Sequence, residues 1–256
     1  MCYYGNMNDN VIKVYKKAGE TPLDCIDNIK KERPELGLLP MTYAGRLDPL
    51  AEGVLLLLVG EECKKKDEYL NLPKEYEVDI LFGFTTDTYD VLGKITASGE
   101  KIESDVVTQI QRALPEFIGK IKQKYPPYSS RPVNGKPLFL WAREGKLDEI
   151  EIPEHNIQID NIEIISSYEI SGDDLLEDIK EKINKVKGDF RQIEILNIWE
   201  KELINKKEEK YPVIKLRISC GSGAYMRSIA NDIGEKLGTG ALAFKIVRTK
   251  VGEYSI

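Results

Sequence analysis

The chain has 256 residues, 41% hydrophobic and 31% charged, enough for one large mixed domain or two small ones, with a substantial core. A formal net charge of −6 argues against a protein that coats nucleic acid without selectivity, while leaving room for a local basic site. There is no run of about 18 apolar residues, the N-terminal MCYYGNMNDN lacks a secretory layout, and four scattered cysteines with one histidine make a poor zinc site. A cytoplasmic protein without membrane or metal is the expectation.

Residues 11–15 read as a short strand. Thr21-Pro22-Leu23-Asp24 opens a helix that fades near Gly37: a hydroxyl cap, a proline at the first helical position and an acid near the positive end. Residues 41–50 read as a loop, and the apolar run 53–60 between two glycines as a buried strand. Residues 74–84 alternate, with Tyr76, Val78, Ile80 and Phe82 on one face and Glu75, Glu77 and Asp79 on the other.

Residues 104–117 have helical spacing behind a Ser104 cap. Residues 119–137 are basic and contain prolines, a strand followed by a long loop, and 138–143 form a short helix. Residues 157–165 are strand-like, and 173–187 make a charged amphipathic helix with Leu175, Leu176, Ile179 and Ile183 on one side. The charged run 201–210 reads as a solvated turn or helix end. Residues 213–220 alternate, and 225–237 form a helix ended by Gly238 and Gly240. Few strand–helix–strand crossovers appear. The expected fold is α+β, a mixed, mostly antiparallel sheet flanked by helices, in a single domain over 1–256.

The segment Tyr43-Ala44-Gly45-Arg46-Leu47-Asp48-Pro49-Leu50-Ala51-Glu52-Gly53-Val54-Leu55 carries the most chemistry. Pro49 pushes Asp48 out of the helical region, and Gly45 and Gly53 free the backbone on both sides. An isolated Asp-Pro is ordinarily a turn. Here the loop runs straight into an apolar strand, so a carboxylate sits at the lip of a core.

This segment closely resembles the nucleophile loop of the TruB pseudouridine synthases, Gly-x-Leu-Asp-Pro-x-Ala-x-Gly-Val-Leu. Further segments are similar to that family in the same order: Lys16 to Thr21, Lys74-Glu75-Tyr76, and Gly83 to Asp90 as Gly-x-x-Thr-Asp-Thr-x-Asp. Pro126 to Ser130, Val133 to Lys136 and Ala142 to Gly145 resemble its RNA-gripping thumb loop, about 120–145. Cys220 to Ser228 and Ile246-Val247-Arg248-Thr249 complete the series. Tyr43 stands where the family has histidine, Lys17 where it has proline, and Val247 where it has arginine. Two expectations concern extent: the small PUA domain that many relatives append is not expected, and the acidic segment 171–210 is longer than the family implies.

The resemblance implies an enzyme that breaks the N1–C1′ bond of a uridine in RNA, turns the base and rejoins it through C5, at uridine 55 in the T loop of tRNA. It needs no cofactor. Asp48 is implied as nucleophile, Arg227 as its ion-pair partner and Tyr76 as a stacking ring able to relay the C5 proton. Tyr43, Asp90, Tyr225, Ile246 and Arg248 are expected around the nucleotide, and Lys136 and Arg143 on the thumb. The expected partner is the T-arm stem-loop of tRNA, gripped by a monomer. Alternatives are the same chemistry on another RNA, a non-catalytic RNA-binding factor on this fold, or a carboxylate-pair glycosidase, for which no second acid motif stands out.

Overall fold

A computed structural model describes residues 10–99 and 106–256. The first nine residues and the expected Ser104 cap lie outside the described residues. Strand β1 (Val11–Lys16) leads into helix α1 (Pro22–Glu32). The helix starts as the sequence predicts: Asp24 N donates to Thr21 Oγ1 at 3.0 Å and Thr21 N to the Asp24 carboxylate at 2.8 Å, a reciprocal capping box. β2 (Met41–Ala44), β3 (Glu52–Val59), the short α2 (Lys66–Leu70) and β4 (Lys74–Phe82) follow. A small hairpin, β5 (Phe84–Thr86) and β6 (Ile95–Ser98), precedes α3 (Val106–Ala113). α3 tightens into a 3-10 turn at Leu114–Phe117, where Pro115 lacks the N–H that the next α-helical bond needs.

β7 (Gly119–Lys124), the two-residue strands β8 (Pro132–Val133) and β9 (Lys136–Pro137), and α4 (Leu138–Arg143) make up the basic stretch. Then come β10 (Glu154–Ser171), α5 (Gly172–Lys185), α6 (Gln192–Leu203), β11 (Lys210–Cys220), α7 (Met226–Leu237), β12 (Ala241–Val251) and β13 (Tyr254–Ser255).

Among the described residues nine strands join one sheet in the order β1-β3-β12-β4-β11-β10-β7, with β2 on β3 and β13 on β12. β3 and β12 run parallel, and the other pairs are antiparallel. The expected mixed, mostly antiparallel α+β sheet is what forms. α3 and α7 cover one face through Ile110, Ile229 and Ile233. α5 and α6 cover part of the other through Leu175, Ile179, Ile183, Ile195, Trp199 and Leu203, packed with Phe84 and Tyr211. Burying each such side chain contributes roughly 1.5–3 kcal/mol. The acidic segment is thus a helical pair anchored in the core.

Four expectations need correction. Residues 41–50 are not all loop, because Met41–Ala44 pairs with Leu56–Val59 as β2. That strand has no alternating pattern, and its order comes from its partner. Strand 157–165 is longer, Glu154–Ser171, because β7 pairs with its first part and β11 with the rest. Lys120–Lys124, expected in the loop of about 120–145, belongs to edge strand β7. Tyr225 is the cap residue of α7 and lies outside the helix proper.

Candidate active site

Asp48 lies on the connection from β2 to β3, and two buried cations hold that connection by its backbone. Lys16 donates from Nζ to Ala51 O at 2.7 Å, to Asp48 O and Lys17 O at 3.2 Å and to Pro49 O at 3.3 Å. It is fully buried, and burial pushes its pKa down to about 8. Arg248, on β12, donates from Nε to Val54 O at 2.7 Å and from Nη2 to Gly45 O at 2.9 Å. Asp48 O and Pro49 O also accept from Ala51 N at 3.1 Å and Gly19 N at 2.9 Å, so the lysine adds to a loop already tied by its backbone. Gly53 lets β3 approach β12: at φ 111 a side chain is strained, and a Cβ would lie 2.2 Å from Arg248 O.

Arg227 approaches from α7 on the other side. Its Nε donates to Asp48 Oδ2 at 2.8 Å and Nη2 to Asp48 Oδ1 at 3.0 Å, a bidentate pair. The arginine side chain is 4% exposed and the aspartate 36%, so the cation is enclosed while the carboxylate faces open space. The start of α7 is fixed by Gln123 of β7, which accepts from Tyr225 N at 2.8 Å and donates to Tyr225 O at 3.1 Å.

Asp90 sits behind this pair, with Oδ2 at 3.7 Å from Arg227 Nε. Its Oδ1 accepts from Thr88 Oγ1 at 2.6 Å and from Leu92 N at 2.9 Å. Burial pushes its carboxyl up to about 6 despite the opposing pull of Arg227. Ionised Asp90 is therefore less favourable in the folded than in the unfolded chain. Relative to an Asp90→Asn variant, the protein is expected to lose on the order of 2–3 kcal/mol of stability as pH rises from about 4 to 6, and to level off above that. Urea midpoints for both proteins across this range check it; parallel pH profiles would contradict it.

Two cavities of about 290 Å³ each meet at Arg46, Asp48 and Tyr225. One is walled by Tyr76, Ile246 and Arg248. Burial raises the pKa of Tyr76, so its phenol stays neutral. The other is walled by Asp90, Tyr128, Phe139, Arg143, Phe190 and Arg191. Asp48, Tyr76, Asp90, Tyr225, Arg227, Ile246, Arg248 and Arg143 are thus brought together around two joined spaces.

Tyr43 and Lys136 line neither of these cavities. Tyr43 packs beside the α1–β3 cluster with Lys66 Nζ 5.3 Å from its ring centroid. Lys136 pairs with Glu144 at 2.5 Å and lies over Trp141. Arg143 is bonded to Asp189. Sequence reasoning missed Arg46, Lys16 as a loop anchor, and Arg191. Arg46 stood inside the Tyr43–Leu55 segment as an exposed cation two residues before Asp48. Arg191 had no motif to reveal it.

Comparison with known proteins agrees with this geometry. The sequence pattern described as TruB family pseudouridylate synthase (N terminal domain) matches residues 34–190. The chain is 31% identical over 240 residues to the tRNA pseudouridine synthase B of Acaryochloris marina, covering 93% of this chain and 66% of that protein. It is 31% identical over 251 residues to the enzyme of the same name from Clostridium tetani, covering 97% and 69%. The chain spans about two thirds of the length of these relatives. The chain belongs to the TruB family. Among solved structures, one from a Cbf5-Nop10-Gar1 complex is similar with a TM-score of 0.56 at 19% identity, over 96% of this chain and 50% of that one, a likeness of fold. Among the described residues no helix is long and apolar enough to cross a membrane.

Proposed function

We propose that this chain isomerises a uridine of tRNA to pseudouridine, at uridine 55 of the T loop, with Asp48 as the nucleophile. The bidentate Asp48–Arg227 pair opening onto two joined cavities is the observation that carries this reading. A uridine stacked in RNA is out of reach, so it is flipped into the cavity walled by Tyr76 and Ile246. Each carboxylate oxygen spends one lone-pair direction on Arg227 and keeps another for the nucleotide. Arg227 aims Asp48 and supplies its countercharge while water is excluded. Once the N1–C1′ bond is broken, the base turns and joins through C5. The neutral Tyr76 phenol then accepts the C5 proton and releases its own, and N1, freed by the cleavage, ends with a proton, so the isomerisation balances. The names of the relatives support tRNA as substrate.

The thumb grips the T-arm, and the protein acts as a monomer. Lys136 and Arg143 meet RNA phosphates by exchanging their present partners, Glu144 and Asp189. Incubating the purified chain with an unmodified tRNA transcript and mapping pseudouridine tests the function; no conversion would overturn it. A T-arm hairpin alone is expected to be modified with kcat/KM within about tenfold of whole tRNA. A preference for whole tRNA of about a hundredfold, ~2.7 kcal/mol, would show that another surface reads the rest of the molecule.

A further inference from the structure

Arg227 has donors to spare beyond Asp48, and two backbone carbonyls take them. Its Nη1 donates to Thr88 O at 2.7 Å and its Nη2 to Tyr128 O at 3.4 Å. Neither acceptor lies on α7. Thr88 belongs to the turn after β5, and Tyr128 to the root of the thumb. The orientation of Arg227 therefore depends on two loops that must themselves be held.

One side chain touches both. Arg191 donates from Nη1 and Nη2 to the carboxylate of Asp87, next to Thr88, at 2.6 and 3.3 Å. Its guanidinium also lies 4.4 Å from the ring centroid of Tyr128. Arg191 precedes α6 in the left-handed region, φ 64 and ψ 26, which residues with a Cβ seldom adopt. The turn around it is tied down: Phe190 N donates to Gln192 Oε1 at 2.9 Å and Gln192 Nε2 to Gly188 O at 2.8 Å. Lys94, at the far end of the turn after β5, pairs with Glu194 of α6 at 2.6 Å. A strained backbone whose fork points at the two loops carrying the acceptors of Arg227 has a role beyond bracing the helix.

We propose that Arg191 is a positioning residue. By gripping Asp87 and Tyr128 it fixes the carbonyls of Thr88 and Tyr128, which aim Arg227, and through Arg227 it aims Asp48. The role falls to the turn that joins the two helices of the acidic segment. Its kinetic consequence rests on the isomerase reading, while its structural consequence does not.

Arg191→Gly removes the side chain and suits the left-handed backbone, so the variant is expected to fold. Arg191→Lys keeps one charge without the planar fork. Two readouts are taken on the full chain. The first is hydrogen exchange of the Arg227 Nε proton by NMR, assigned by its loss in Arg227→Lys. We expect it to quicken at least about tenfold in both variants, with the Ile80 amide in the sheet unchanged. The second is turnover of unmodified tRNA, where kcat is expected to fall at least about tenfold with KM within about threefold of the wild type. Arg227 exchange within about twofold of the wild type in Arg191→Gly, or unchanged kcat, would overturn the proposal. Should the wild type convert no RNA, the isomerase reading fails, and the exchange measurement still decides the role of Arg191.

Discussion

Asp48→Asn is expected to lower turnover by at least about a thousandfold, ~4 kcal/mol of barrier, while RNA affinity changes little. The amide keeps the shape of the carboxylate, so the loop held by Lys16 and Arg248 has no cause to move. One contact to Arg227 survives, through the amide oxygen. The other becomes a donor facing a donor, since the –NH₂ group takes the place of a carboxylate oxygen. The role proposed for Asp48 is lost, because a neutral amide is a poor nucleophile. Binding is spared for an electrostatic reason: removing a negative charge near RNA phosphates adds no repulsion. Single-turnover rates and binding isotherms on the same tRNA separate the two effects. Turnover within about tenfold of the wild type, ~1.4 kcal/mol, would contradict the assignment.

Arg227→Lys is expected to recover little of what Arg227→Ala loses, with turnover down about a hundredfold, ~2.7 kcal/mol. The arginine satisfies both oxygens of Asp48, Thr88 O and Tyr128 O through one planar group. A lysine ammonium is a single point with three donors and cannot reach four acceptors spread around a guanidinium. Thr88 O, the most buried of the four, is left without that donor, which costs about 1–3 kcal/mol. Normal kcat in the lysine variant would reduce Arg227 to a simple countercharge.

Legibility in the sequence followed the physical origin of each element. Lys74–Phe82 and Glu52–Val59 were readable because their burial is written as alternation in one and an unbroken apolar run in the other. β12 was not read as a strand although part of it was recognised by resemblance. Arg248 and Thr249 interrupt its apolar pattern, and the buried Arg248 is received by Val54 O of β3 and Gly45 O of the loop before it. α6 was missed although Ile195, Trp199 and Leu203 repeat every four residues, since its acidic surroundings read as surface. The Asp48–Arg227 pair joins residues 179 apart in sequence. Composition and periodicity carry no trace of it, and it was reached through resemblance alone. Arg191 follows from neither route, because its partners, Asp87 and Tyr128, are set by how two loops fold against the helical pair.

Pseudouridine mapping of total RNA from cells that otherwise lack this activity, carrying either the wild-type chain or Asp48→Asn, tests the central claim most directly. The wild type is expected to add pseudouridine at uridine 55 of tRNA, and the Asp48→Asn chain to add none there. Equal maps with the two chains, or a gain at that position with both, would contradict the account.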